Sequence, residues 1–433
     1  MTVASEPDHE PSSPLRIADF RAVWLSRLLA VSATIAMVVL IGYQTYDVAR
    51  ADYGMDRPTA AVMLGLLGLA QFVPLFLLTP VAGAAADHFD RRRVVLFANL
   101  IDCTIATLLG ALTLIGALTL PILFALAAAH GAARAFNGPA LSAIAPNVVP
   151  PRLLPKAIAL SSIAWQVGTV VGPAAGGLLF GASPPLPYFC SAALLLLSGL
   201  LISSIRPVRP VQEGPPAHPM RQIVQGFSFV WTRRFLLGCI SLDLFAVLLG
   251  SATAMLPVFA RDILQVGPEG LGIMRGAPAA GAALVALWLS FRPFDRNVGV
   301  KMLWAVVVFG AATFAFALSR NFLLSLALLA LLGAADMFSV FVRSSLIQLN
   351  TPDNMRGRVS AISGVAVSAS NELGELRAGL FAGIMGVTAS VAIGGIGAII
   401  ITAIWAWIFP ELRQARTFAP TFLHESEQEE PAK

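Results

Sequence analysis

Charge is what this chain has least of. Of its 433 residues only 12% are Asp, Glu, Lys or Arg, against 57% hydrophobic, and the mean hydropathy is +0.78. One water-soluble core cannot hide so much apolar surface, so lipid is the expected solvent and soluble globular classes are excluded. Cysteine is nearly as scarce. Cys103, Cys190 and Cys239 each lie in an apolar run, without the paired spacing of a metal site or a disulfide framework. Of five His, only His130 falls inside an expected span, which leaves no His cluster for metal-dependent hydrolysis in the membrane. A Gly-rich Walker loop is missing, which excludes ATP-driven chemistry within the chain, and so are the repeated short filter loops of a channel. No basic stretch leading to a cleavage site opens the sequence, so no removable signal peptide is read. Lys is rare beside Arg, 3 against 26, which together with abundant Ala points to a GC-rich bacterial genome. The net charge of +5 is spread over loops, not gathered in a patch, and gives no case for nucleic acid.

What the chain has is apolar runs. Twelve of them reach the roughly 20 residues needed to cross hydrocarbon. They are expected at 20–48, 59–86, 94–116, 120–147, 155–181, 186–205, 235–260, 270–291, 300–318, 322–349, 359–386 and 389–409. The Pro-rich stretch 206–234 separates two sets of six and ends in a short amphipathic segment. The expected organisation is therefore a tail at 1–19, a six-helix half at 20–205, a central loop at 206–234, a second half at 235–409 and an acidic tail at 410–433. After Phe418 that tail ends in Glu425, Glu427, Glu429 and Glu430 and is read as disordered. Loop charge predicts the orientation. With the N-terminus inside, 21 of the 29 Lys and Arg lie on the cytoplasmic side and four on the outside, which places both termini in the cytoplasm.

The halves repeat one another. His88-Phe89-Asp90-Arg91 recurs as Pro293-Phe294-Asp295-Arg296 after 205 residues, each time between the second and third helix of its half. Gly131, Pro150, Lys156, Gly172, Gly177 and Gly181 fall opposite Gly333, Pro352, Arg358, Gly374, Gly379 and Gly383 after 202. Shared spacing, helix position and loop type indicate a tandem duplication, with the substrate path expected between the halves near the bilayer midplane.

Three motifs carry a family resemblance. The first is Gly83-Ala-Ala-Ala-Asp87-His-Phe-Asp90-Arg91-Arg92-Arg93, a charged hairpin between the second and third spans. The second is Gly168-Thr-Val-Val-Gly172-Pro173-Ala-Ala-Gly176-Gly177 in the fifth span, and the third is Arg134-Ala-Phe-Asn137-Gly138 in the fourth. Together they resemble the loop signature, the GxxxGPxxGG helix and the RxxQG pattern of major facilitator superfamily exporters, with Asn137 in place of Gln. The phrasing around them is most similar to the enterobactin-exporter-like branch, which also holds macrolide-efflux relatives. Ala85, His88 and Asp90 depart from the usual loop, and Glu375 stands opposite Pro173 in the second half. The resemblance implies an all-α polytopic protein with twelve transmembrane helices in two pseudo-symmetric halves. In that family the loop Asp gates the change of state, the glycine helix is linked to antiport, and the Arg pattern to proton coupling. The same residues also fit blander roles: a positive-inside loop, and a packing groove in which Gly at four-residue spacing gives close helix contact.

Charges inside the membrane complete the list of candidates. Arg134, Arg275, Arg343 and Arg377 face Asp102, Asp243, Asp336, Glu372 and Glu375, and such groups normally pair or line water. Arg134 and Asp336 are repeat-equivalent and can meet across the pseudo-twofold axis in one state and part in another. Static pairing within a half is the competing arrangement. Arg343 is near enough to a helix end to snorkel, and Asp102 is read as structural. The candidates for proton coupling or substrate are Arg134, Asn137, Asp243, Asp336, Glu372 and Glu375. The resulting expectation is a monomeric, proton-coupled exporter in the bacterial inner membrane, needing neither metal nor cofactor beyond the proton gradient. Its substrate would be siderophore-like. A macrolide or multidrug exporter is the alternative, and a non-transporting ligand receptor on the same scaffold is a third reading.

Overall fold

The computed structural model describes residues 13–207, 219–292 and 294–419. Backbone N–H and C=O groups find no partner in hydrocarbon, so apolar runs satisfy them internally as helices. The first half contains α1 (Ala18–Ala51), α2 (Arg57–His88), α3 (Arg91–Leu114), α4 (Leu120–Val148), α5 (Leu154–Ala182) and α6 (Leu186–Ser203). The amphipathic segment forms α7 (Pro219–Thr232). After it come α8 (Arg234–Gly250), α9 (Leu256–Val258), α10 (Gly267–Phe291), α11 (Val298–Leu318), α12 (Phe322–Leu349), α13 (Asp353–Met385), α14 (Val387–Ile408) and the short α15 (Pro410–Gln414). Residues 208–218 of the central loop, Pro293 and the acidic tail from 420 onward lie outside the described residues. Among the described residues, ten helical segments are long and apolar enough to span a membrane, and α4 and α13 are not among the ten. Those two are interrupted by polar groups: His130, Arg134 and Asn137 on α4, and Glu372, Glu375 and Arg377 on α13. Large apolar side chains such as Leu323 and Trp407, 74% and 79% exposed, suit a lipid-facing surface on other helices.

The seventh span is not the unbroken helix that its apolar run predicts. Helix α8 stops at Gly250 with Ser251 extended, and a 3-10 turn (Thr253–Met255), α9 and a π turn (Phe259–Ile263) complete the crossing. Pro257 has no N–H to offer the Thr253 carbonyl one turn earlier. Thr253 O accepts instead from the Leu256 N–H of the 3-10 turn and from Arg275 Nη1 at 3.1 Å. Arg377 Nε likewise donates to Leu248 O at 2.9 Å, placing a cation at the negative end of α8. Two arginines expected to seek carboxylates thus donate to backbone carbonyls beside the break.

Contacts divide the chain into two compact units: Met1–Val38 with Ala70–Gln212, and Val39–Leu69 with Glu213–Lys433. In unit 1, α3 packs on α4 and α6, the glycines of α5 on α1, and α4 on α2. In unit 2, α11 packs on α12 and α14, α13 on α8, and α10 on α12. The pairing scheme of one is the pairing scheme of the other, as a duplication requires. Repeat-related glycines make it atom by atom. A Cβ on Gly131 would fall 2.0 Å from Gln71 O, and a Cβ on Gly333 would fall 2.0 Å from Pro278 O. The apolar core of unit 1 gathers Phe20, Val95, Ile144 and Ile202, and that of unit 2 gathers Phe235, Met302, Leu346 and Leu412. The result is a twelve-crossing, all-α protein with a duplicated six-helix plan.

Candidate functional site

Between α2 and α3 only Phe89 and Asp90 are non-helical. Asp90 ends that link as the N-cap of α3, its Oδ1 accepting from Arg92 N at 3.1 Å, and its Oδ2 also lies 2.7 Å from Arg92 Nη2. Arg91 Nε donates to Ala86 O at 3.2 Å, closing the end of α2. Asp90, Arg91 and Arg92 therefore fasten the hairpin. Arg93 opens the first turn of α3 with them. The Asp87 side chain lies outside the described residues. A Cβ on Gly83 would meet no described atom within 4 Å.

The glycine helix behaves as a packing face. A Cβ on Gly168 would come 2.8 Å from Val31 Cγ1, and one on Gly172 would come 2.3 Å from Ser32 O. Four-residue spacing lets α5 lie directly on α1. Pro173, Gly176 and Gly177 are buried on the same helix, which runs through Pro173 without interruption. In unit 2 the repeat-equivalent Gly374 stands against Val247 O, 3.1 Å from a Cβ.

Unit 1 contains a cavity of about 160 Å³ lined by Arg27, Arg134, Asn137 and Trp165, with Val31, Ile35, Leu75 and Leu141 among its walls. Arg134 has no hydrogen-bond or ion-pair partner among the described residues. The Arg27 guanidinium lies 5.9 Å from the Trp165 ring centre, and its buried Nε is without a hydrogen-bond partner. The sequence reading did not single out Arg27. The signal that distinguishes it is its depth, ten residues into an apolar helix. Behind the cavity, Asn137 Nδ2 donates to Asn99 Oδ1 at 2.7 Å, Asn99 Nδ2 to Ser198 Oγ at 3.0 Å, and Ser198 Oγ meets Ser26 Oγ at 2.8 Å. This chain ties α4, α3, α6 and α1 together and fixes the Asn137 amide. One turn before Arg134, His130 holds Asp102, and both are fully buried.

Unit 2 keeps its own charges. Arg343 does not snorkel; it is 4% exposed and pairs with Asp243 across α12 and α8. Asp336 lies within electrostatic reach of both members, half-buried and with no hydrogen-bond or ion-pair partner among the described residues. On α13, Glu372 and Glu375 flank α2. A Cβ on Gly68 would come 3.2 Å from Glu375 Oε2 and 4.0 Å from Glu372 Oε2, and one on Gly65 would come 3.1 Å from Gly379 Cα. Helices α2 and α13 therefore touch backbone to backbone, with two carboxylates beside the contact.

A further cluster was not expected. Asp262, in the π turn, accepts from the Tyr46 hydroxyl at 2.7 Å and lies 3.2 Å from Arg57 and 3.5 Å from Arg50. Arg261 pairs with Asp47 at 2.8 Å. These arginines entered the sequence reading only as loop charges, and no periodicity announces a π turn. They bind the ends of α1 and α2 to the broken helix within unit 2.

Two duplicated sets of six helices, with a few charged groups inside them, have the plan of a multi-pass membrane transporter. The chain belongs to the transmembrane secretion effector family of the major facilitator superfamily, whose family profile matches residues 9–429. It is 26% identical over 403 residues to the enterobactin exporter EntS of Shigella boydii serotype 18, covering 93% of this chain and 94% of that protein. EntS of Escherichia fergusonii is similar to the same extent. Solved structures share the fold. A bacterial homologue of the human lysosomal transporter Spinster superposes with a TM-score of 0.69 at 14% identity, over 92% of this chain and 98% of that one. A D-xylose–proton symporter gives 0.69 at 14%, over 92% and 99%.

Proposed function

We propose that this chain exports a small secreted metabolite, siderophore-like in kind, across the bacterial inner membrane by proton-coupled antiport. It works by alternating access as a monomer with both termini in the cytoplasm. The observation that carries the reading is the match to enterobactin exporters along 93% of the chain. The Gly168–Gly177 helix, with its pattern of antiport exporters, supports the direction. A proton carrier needs a carboxylate whose surroundings change between states. Asp336, beside the Asp243–Arg343 pair, and Glu372 and Glu375, beside the α2–α13 contact, are the candidates. The apolar walls of the Arg134 cavity favour a second reading, export of a lipophilic drug or macrolide.

Comparative metabolite analysis of cells and medium, with and without the gene, tests this function. The expected result is a compound that is depleted from the medium and retained in the cells when the gene is removed. Unchanged metabolites with altered resistance to lipophilic drugs would favour the second reading. Ligand binding without movement across sealed vesicles would indicate a receptor.

A further inference from the structure

The cavity of unit 1 is cationic, and none of its lining residues is acidic. Placing a charge at membrane depth is costly, and it is normally offset by a partner. Arg134 has none among the described residues, and Arg27 has a buried Nε without an acceptor. Both belong to the same small space. What would complete their hydrogen bonding is an anion brought in from outside the chain.

Size and walls narrow its chemistry. About 160 Å³ is close to the ~150 Å³ of an apolar cavity that holds benzene. Trp165, Leu75 and Val31 supply apolar surface for a ring, while a guanidinium fork binds a planar carboxylate through two parallel N–H groups. The Arg27 guanidinium lies 5.9 Å from the Trp165 ring centre, which places its fork beside the ring site. Asn137, fixed by Asn99 at 2.7 Å, is not free to swing in and take the place of an anion.

We infer that Arg27, Arg134 and Trp165 form a binding subsite for an aromatic carboxylate, either the substrate itself or the anionic ring-bearing end of a larger one. This rests on the transport reading above and adds the class of compound to it.

The test is calorimetric titration of the purified full chain in lipid nanodiscs with 2-naphthoate and with neutral 2-naphthamide. The naphthoate should bind at least about tenfold more tightly than the amide, the range of a charge-assisted hydrogen bond. Arg27→Gln and Arg134→Gln should each remove most of that preference, while Trp165→Ala should weaken both ligands. Arg27→Lys and Arg134→Lys keep the charge but lose the fork, and should fall between. They decide the matter if either Gln variant fails to elute as a single species. Equal binding of the two probes, no binding of naphthoate at millimolar concentration, or a preference that survives the Arg27 and Arg134 substitutions would overturn the proposal. The titration needs neither transport nor a proton gradient. Binding by a chain whose loss leaves the medium unchanged would therefore refute the export reading and not this one.

Discussion

His130 Nδ1 lies 2.9 Å from Asp102 Oδ1, joining α4 to α3 at a point where both side chains are closed to solvent. Removing one partner leaves the other polar and buried, which costs more than never having had the pair. His130→Leu should lower stability by about 1–3 kcal/mol, read as a drop in the thermal midpoint in detergent. Replacing both residues by Leu should recover most of the loss. A double variant as unstable as the single one would mean that Asp102 has another essential partner.

The hairpin residues should separate into two kinds. Asp90→Ala removes the N-cap of α3 and its Arg92 contact, at a cost of about 1 kcal/mol, so the midpoint should fall while transport per folded molecule is kept. Asp87→Asn changes charge but hardly volume, so the protein should reach the membrane normally and lose most transport. Full transport by a normally expressed Asp87→Asn chain would reduce the loop to a topology signal.

Close approach makes one glycine irreplaceable and a near neighbour dispensable. The Gln71 carbonyl is backbone and cannot move aside from a Cβ on Gly131, and Gly333 faces Pro278 in the same way. Gly131→Ala and Gly333→Ala should therefore each lose about 1–3 kcal/mol or more from overpacking, measured as reduced folded yield and midpoint. Gly138, with no described atom within 4 Å of a Cβ, should accept Ala with no change. Equal tolerance at Gly131 and Gly138 would contradict the helix contact.

Much of the architecture was legible because hydrophobic run length and repeated glycine spacing survive in one dimension. The helices of both halves, and the Gly172–Gly374 and Gly131–Gly333 equivalences, follow from them. The break after Gly250 was not legible, because an apolar run reads alike whether or not its hydrogen bonds continue. Its traces were Pro257 and two arginines, Arg275 and Arg377, whose targets are carbonyls that no sequence pattern marks. The burial of Arg343 was not legible either, because nearness to a helix end does not fix exposure: its surroundings are set by a neighbouring helix, the one that carries Asp243.

Orientation can be checked without knowing the substrate. In a background lacking Cys103, Cys190 and Cys239, Ala182→Cys at the end of α5 should react with an impermeant maleimide in intact cells. Ser204→Cys at the end of α6 should react only after the cells are opened. The opposite pattern would place the termini outside.

The most direct test of the central claim uses the compound that the metabolite comparison identifies. It is added to inverted membrane vesicles whose lumen has been acidified by respiration, so that export appears as uptake. The account predicts accumulation that requires the chain, collapses when an ionophore removes the pH gradient, and fails with Asp87→Asn. Accumulation in right-side-out vesicles with none in inverted ones would contradict export.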